Sequence, residues 1–185
     1  MILVLTGPVH SGKTSLLGKL VLELKEQGIR IDGYLSKPVF KDGDLIGYDL
    51  FDVKEGKASP FIRKQGAMDW QNVGPYFFIP EALEEAKRKI LRHREGGLLI
   101  VDEVGPLEIQ GGGIWPALQA VLSNPSLRCF LVVRRNILED FRNLMKGIPI
   151  KIFDIECQDI LASLREEIQK EEIVKEEKTL KSCPS

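Results

Sequence analysis

The sequence has few cysteines, and their spacing matches neither a metal site nor a disulfide framework. Cys129, Cys157 and Cys183 are the three cysteines among 185 residues. Small secreted domains that depend on disulfides carry a denser and even-numbered set. We therefore expect a reducing environment, and we predict a cytoplasmic location.

The sequence also lacks long apolar runs and an excess of charge of one sign. Residues 1–6 are apolar, but no basic region precedes them, and no segment reaches the ~20 apolar residues of a membrane span. Lysine plus arginine number 26 and aspartate plus glutamate 27, so the formal net charge is -1. We expect no membrane partner, regard nucleic acid as an unlikely partner, and predict a monomer or weak oligomer.

What the sequence does contain is enough apolar residues, 43%, for one folded domain. Its second half alternates between short apolar runs and helical patterns. The predicted strands are 98–101, 128–133 and 148–155, and the predicted helices are 114–122, 136–146 and 158–172. Such alternation indicates a mostly parallel sheet flanked by helices.

The first half begins with a predicted strand over 2–6 and a helix over 12–27. Residues 29–79 differ, because an Asp-Gly turn at 42–43 joins two strand-like runs, 29–40 and 45–53, as in a β-hairpin. Short strands at 61–63 and 76–79 and a helix from Pro80 to Arg94 follow. We predict one domain over 1–172 with an antiparallel insert at 29–79, and a charged, disordered tail at 173–185.

Residues 7–14 match the pattern G-x-x-x-x-G-K-[ST], known as the P-loop or Walker A motif. The motif lies between a predicted strand and a predicted helix, where loop amides and the helix amino terminus can bind phosphate. Lys13 is predicted to reach the β- and γ-phosphates, and the Thr14 hydroxyl to bind Mg²⁺. The predicted nucleotide-binding residues here are Gly7, Pro8, Val9, His10, Ser11, Gly12, Lys13, Thr14 and Ser15.

The next part of the predicted site is a pair of acidic residues directly after the buried strand 98–101. Asp102 and Glu103 stand at its carboxyl end, the edge where open α/β sheets bind ligands. This Walker B pattern predicts that Asp102 holds Mg²⁺ together with Thr14, and that Glu103 is the general base for the attacking water. The predicted binding segment is Leu99, Ile100, Val101, Asp102, Glu103, Val104 and Gly105.

Arginines complete the predicted site. Arg134 ends the strand 128–133 at the same sheet edge, and we assign it a catalytic role in stabilising charge on the γ-phosphate. Arg135 and Arg63 are alternatives for this role. Several aromatic residues (Trp70, Tyr76, Phe77 and Phe78) are interpreted as core, with base stacking as the other possibility.

Five segments give the sequence a resemblance to the small thermophilic nucleoside-triphosphatase family, whose animal members are called cancer-related nucleoside-triphosphatase. They are Thr6–Thr14, Gly33–Leu35, Gly47–Asp49, Val73–Tyr76 and Val101–Glu108. The resemblance implies a P-loop fold with an additional strand between the Walker A and Walker B strands. It also implies Mg²⁺-dependent hydrolysis of ATP, GTP and other nucleoside triphosphates to the diphosphate and phosphate.

The expected architecture is thus a P-loop NTPase of three layers, α/β/α, with a mostly parallel central sheet and an antiparallel β-hairpin insert. Two other functions stay open. One is a P-loop kinase that phosphorylates a small acceptor, although residues 29–79 lack the arginine cluster of a kinase lid. The other is a nucleotide-dependent switch or adaptor whose insert binds a partner.

Overall fold

The computed structural model describes residues 2–93 and 97–181, with side chains over 2–93 and 97–170. Within these residues nine strands form one sheet. They are β1 (Ile2–Gly7), β2 (Ile31–Lys41), β3 (Asp44–Asp52), β4 (Ala58–Arg63), β5 (Asn72–Val73), β6 (Tyr76–Phe78), β7 (Leu98–Val104), β8 (Cys129–Arg134) and β9 (Ile150–Asp154).

Six helices flank the sheet in the described part of the chain. They are α1 (Lys13–Glu26), α2 (Pro80–Leu91), α3 (Pro106–Ile109), α4 (Trp115–Leu122), α5 (Leu138–Leu144) and α6 (Ile160–Lys181), with a 3₁₀ turn (Arg135–Ile137) before α5. The predicted helix 136–146 thus begins as this turn, and the short helix α3 was not predicted. The sequence predicts that α2 ends at Arg94, and that residue lies outside the described part of the chain.

The strand order is β5-β6-β4-β3-β2-β7-β8-β1-β9. Strand β8 pairs in parallel with both β1 and β7, so it separates the strand that leads into the P-loop from the strand that carries Asp102. This confirms the additional strand between the Walker A and Walker B strands. The strand ends that carry Gly7, Asp102 and Arg134 therefore lie at one edge of the sheet.

Each face of the sheet is covered by helices, because side chains of the buried strands alternate between two apolar cores. On one face Val4 and Val101 pack with residues of α2, α4 and α5. On the other face Leu5 and Ile100 pack with residues of α1 and α6. The predicted three-layer α/β/α architecture is confirmed.

The insert departs from the sequence prediction at its first strand. Residues Ile31–Tyr34 of β2 pair in parallel with β7, and the rest of β2 pairs antiparallel with β3. Gly33 permits this, since a Cβ there would lie 1.9 Å from the Ile100 carbonyl oxygen. The sequence predicts a wholly antiparallel segment over 29–79, whereas β2 joins the parallel sheet to the antiparallel strands.

The carboxyl-terminal helix is longer than predicted. Helix α6 continues past Glu172 to Lys181, so residues 173–181 are helical and not the disordered segment that the sequence predicted. The last residues, 182–185, lie outside the described part of the chain. No helix in the described residues is long and apolar enough to cross a membrane.

Candidate active site

The P-loop joins β1 to α1, and unusual backbone angles shape it. His10 and Gly12 have φ of 61 and 88 degrees, in the left-handed region. Ser11 closes the loop through its hydroxyl, which donates to the Pro8 carbonyl at 2.7 Å. Because α1 begins at Lys13, its unpaired amino-terminal amides face the loop. The loop is thus shaped for an anion.

Lys13 folds back over this loop. Its Nζ donates to the carbonyl oxygens of Pro8 at 2.5 Å and Gly7 at 3.2 Å. Burial lowers the pKa of the ammonium group, and the nearby carboxylates of Glu103 and Asp102 partly oppose this shift. The side chain is therefore held above the loop, in the position that a phosphate group on the loop would contact.

Thr14 and Asp102 meet although they lie on different elements. The Thr14 hydroxyl donates to the Asp102 carboxylate, whose Oδ2 also accepts from the Ser36 backbone amide at 3.2 Å. Asp102 is 1% exposed, and burial, with a further contribution from Glu103, raises its pKa to about 7. The two predicted metal ligands are brought together, with Ser36 as a partner that the sequence did not indicate.

The chemistry of this pair fits Mg²⁺. A hydroxyl and a carboxylate are hard oxygen ligands, and protein sites for Mg²⁺ use one or two such groups with water and phosphate oxygens. The described residues contain no group of three or more His, Cys, Asp or Glu side chains placed to hold a metal ion. A metal here would therefore depend on oxygens of the bound phosphates to complete its coordination.

Glu103 forms an ion pair with Arg134. The Nε of Arg134 donates to Oε1 of Glu103, and both side chains remain partly exposed. The other two candidate arginines are engaged elsewhere. Arg135 binds Asp154 at 2.6 Å and Glu156 at 2.7 Å, and Arg63 binds the Tyr48 carbonyl and Asp49. Of the three, Arg134 lines the site.

A cavity of about 540 Å³ joins these groups. Among the predicted site residues it is lined by Val9–Ser15, Asp102, Glu103, Gly105 and Arg134. Gly7 and Pro8 contribute carbonyls to Lys13 but do not line it. Four residues of the predicted binding segment are fully buried in the two cores: Leu99, Ile100, Val101 and Val104. They belong to β7, the strand that brings the carboxylates of Asp102 and Glu103 to the edge of the sheet.

A family model described as NTPase matches residues 2–173. The chain belongs to the NTPase family. It is therefore an enzyme of the nucleoside-triphosphatase class. Among the curated members, a nucleoside-triphosphatase THEP1 of Pyrobaculum islandicum is 34% identical over 134 residues, covering 72% of this chain and 74% of that protein. A second THEP1, of Thermofilum pendens, is 27% identical over 158 residues, covering 84% and 86%.

Solved structures of the family share the fold. The solution structure of a human cancer-related nucleoside triphosphatase has a TM-score of 0.70 at 24% identity, covering 90% of this chain and 95% of that one. The crystal structure of THEP1 from Aquifex aeolicus has a TM-score of 0.64 at 20% identity, covering 89% and 96%.

In this NTPase, Glu108 is a buried site residue whose role is not predicted by the sequence. Its carboxylate accepts from the Gly105 amide at 2.8 Å and the Ile114 amide at 3.3 Å. Burial raises its pKa, which the backbone donors oppose. Glu108 thereby holds both ends of the loop that follows Asp102 and Glu103. Its presence in the family-like stretch Val101–Glu108 was the available sequence signal.

An aromatic wall forms part of the cavity lining. Tyr34 of β2, Tyr48 of β3, Phe61 of β4 and Tyr76 of β6 line it. The rings of Tyr48 and Tyr76 meet edge to face, with centroids 5.7 Å apart. Tyr76 was interpreted as core from the sequence, but it faces the cavity, since the antiparallel strands extend the sheet beside the site.

Proposed function

We propose that this member of the NTPase family hydrolyses ATP, GTP and other nucleoside triphosphates to the diphosphate and phosphate in a Mg²⁺-dependent reaction. One observation carries the proposal. The Thr14 hydroxyl contacts the buried Asp102 carboxylate in the same cavity that holds Lys13 and Glu103. A phosphate-binding cation, a pair of hard oxygen ligands and a candidate base thus surround one space.

The P-loop binds the phosphates. Loop amides and the amino terminus of α1 donate to phosphate oxygens, and the Lys13 ammonium exchanges its carbonyl partners for them. Because the phosphate oxygens carry full negative charge and carbonyl oxygens do not, this exchange strengthens the contacts of Lys13. Mg²⁺ held by Thr14 and Asp102 supplies positive charge beside the same oxygens.

Glu103 is placed to activate water. Its carboxylate lies on the residue after Asp102 and lines the cavity, so it can accept a proton from water near the γ-phosphate. Arg134 holds one oxygen of that carboxylate, which leaves the other to accept the proton. The water oxygen forms a bond to the γ-phosphorus as the bond between that phosphorus and the bridging oxygen breaks. The electron pair of the broken bond leaves with the nucleoside diphosphate, and the γ-phosphoryl group leaves as inorganic phosphate.

Phosphate release measures this activity directly. Each of four nucleoside triphosphates is incubated with Mg²⁺ and no acceptor, for the wild type, Lys13→Ala, Glu103→Gln and a control, Lys19→Ala. Lys19 is exposed on the same helix as Lys13, so its loss changes charge without touching the site. We expect Lys13→Ala and Glu103→Gln each to lower kcat by roughly 10²-fold or more, and EDTA to abolish release.

Three other outcomes would each contradict a specific part of the proposed function. Phosphate release from the wild type no higher than from Lys13→Ala would contradict hydrolysis and favour a nucleotide-dependent switch. Release unchanged in Glu103→Gln would remove the assigned base. Release that persists in EDTA would contradict the role of Mg²⁺.

A further inference from the structure

The cavity extends well beyond the P-loop and the acidic pair, to the aromatic side chains of the antiparallel strands. At about 540 Å³ it lies within the size range of ligand sites, roughly 300–1,000 Å³. A water molecule takes up only about 30 Å³ of liquid volume. The phosphates of the substrate occupy the P-loop side, so the remaining space lies elsewhere in the cavity.

If Glu103 is the base, the remaining space lies on the side from which the γ-phosphate would be attacked. In an in-line displacement the attacking group stands opposite the bond that breaks. The assigned base, Glu103, marks the attacking side, and the P-loop marks the side of the leaving diphosphate. Tyr48 and Tyr76 line the cavity together with Glu103. We call the space bounded by Glu103, Tyr48, Tyr76 and Phe61 the acceptor compartment.

The walls of the acceptor compartment suit a flat ring. Tyr48 and Tyr76 are partly exposed, and their edge-to-face contact has an interplanar angle of 67 degrees. Phe61 is held behind them by edge contacts with Tyr34 at 5.6 Å and Phe78 at 5.3 Å. Val73 and Pro75 add apolar surface. Aromatic walls held in this way bind planar apolar groups at little entropic cost.

The charges around the acceptor compartment select against anions. Asp102, Glu103 and Glu108 all line the cavity. Of the cationic groups that line it, Arg134 is paired with Glu103, and Lys13 lies on the phosphate side. A ligand that carries its own phosphate or carboxylate would meet the Glu103 carboxylate, and neither Lys13 nor Arg134 is free to pair with it. A neutral ring compound would not be repelled.

We propose that the acceptor compartment binds a neutral hydroxylated ring compound, of nucleoside size, which takes the γ-phosphoryl group in place of water. This rests on the phosphate and base assignments of the proposed function. The acceptor O–H bond breaks and its proton passes to Glu103. A bond forms between that oxygen and the γ-phosphorus, and the bond to the bridging oxygen breaks, releasing nucleoside diphosphate.

To test this, the protein is incubated with γ-³²P-ATP, Mg²⁺ and one acceptor probe, which is adenosine, guanosine, cytidine or uridine. The product that receives the label is then identified. Label in inorganic phosphate reports hydrolysis, and label in a nucleoside monophosphate reports transfer. We expect transfer to at least one probe, and an at least fivefold lower ratio of transfer to hydrolysis in Tyr76→Ala. Tyr76→Phe keeps the ring and should retain the wild-type ratio. Phe40→Ala, an exposed residue of β2, is the control.

The outcomes separate this inference from hydrolysis itself. Phosphate release without transfer to any of the four probes would overturn the acceptor compartment and leave the proposed hydrolysis intact. Transfer that Tyr76→Ala leaves unchanged would also overturn it. A raised KM for ATP in Tyr76→Ala, with no change in the ratio, would mean that the wall binds the base of the nucleotide itself. Transfer without acceptor-free release would support the compartment and contradict hydrolysis.

Discussion

Arg134, at the end of β8, donates its Nε hydrogen to Oε1 of Glu103, near the end of β7. The sequence predicts that Arg134 acts on the γ-phosphate, and the structure shows that it lines the cavity and pairs with the Glu103 carboxylate. An arginine in this position can orient the carboxylate of the base through a charge-assisted hydrogen bond. We therefore propose that Arg134 acts through Glu103, as a positioning residue.

The pairing predicts that losing Arg134 matters only while Glu103 is present. We expect Arg134→Ala to lower kcat by at least about tenfold in the wild type, and by less than about threefold in a Glu103→Gln background. Steady-state phosphate release from the four proteins of this cycle measures both effects. Arg135→Ala is the control, since Arg135 binds Asp154 and Glu156. Independent losses from the two substitutions would instead indicate that Arg134 contacts the γ-phosphate directly.

The raised pKa of Asp102 predicts a pH-dependent stability. Its pKa is about 7 in the fold, against an ordinary value of 3.8, because burial and Glu103 disfavour the carboxylate. Folding is therefore penalised above pH 7, and the penalty is relieved as pH falls from 7 towards 4. In metal-free, nucleotide-free protein we expect Asp102→Asn to be more stable than wild type at pH 8, by on the order of 4 kcal/mol.

Urea denaturation of both proteins at pH 8 and pH 5 measures this difference, which should shrink at the lower pH. Asp42→Asn is the matched control. Asp42 is exposed and lies in the hairpin turn with φ of 53 degrees, a conformation that Asn also adopts. The same Asp102→Asn difference at both pH values would show that the buried carboxylate does not titrate as stated.

The loop held by Glu108 predicts different costs for two neighbouring glycines. Gly111 and Gly113 both have positive φ, 82 and 56 degrees. An added Cβ meets nothing within 4 Å at Gly111, but would lie 2.0 Å from Glu108 Oε1 at Gly113. We expect Gly113→Ala to cost about 1–3 kcal/mol more than Gly111→Ala, because it displaces a carboxylate that satisfies buried amides.

Thermal or urea unfolding of the two glycine variants measures that difference, and phosphate release shows whether the loop also sets the geometry of the site. The amide of Gly105, two residues after Glu103, is one of the groups that Glu108 holds. Equal destabilisation by the two alanines would contradict a fixed Glu108 carboxylate.

Asp52 should stabilise the antiparallel strands that carry the aromatic wall. Its Oδ1 accepts from the amides of Lys54 and Glu55, each at 2.8 Å, and its Oδ2 contacts Lys89 of α2. We expect Asp52→Ala to lower the free energy of unfolding by about 2–4 kcal/mol. Glu55→Ala, which removes only an exposed pair with Lys57, should cost less than about 1 kcal/mol. Similar losses in the two variants would contradict this role.

The sequence predicted the parts of the site that depend on contiguous residues. A P-loop needs a strand, a glycine-containing turn and a helix start within a few positions, so residues 7–14 carry the whole pattern. The buried run before Asp102 and Glu103 is equally local. Residues that reach the site by long-range pairing left no such pattern. Ser36 contacts Asp102 because β2 pairs in parallel with β7, which the sequence did not indicate.

The sequence by itself therefore determined the phosphate loop, the acidic pair and the three-layer class. Backbone hydrogen bonding and apolar periodicity act over a few residues and are written in order along the chain. Only the tertiary structure decided that Arg134 meets Glu103, that Glu108 is buried between two amides, and that Tyr76 faces the cavity. Those contacts depend on the order of strands in the sheet, and strand order is set by the packing of the whole domain.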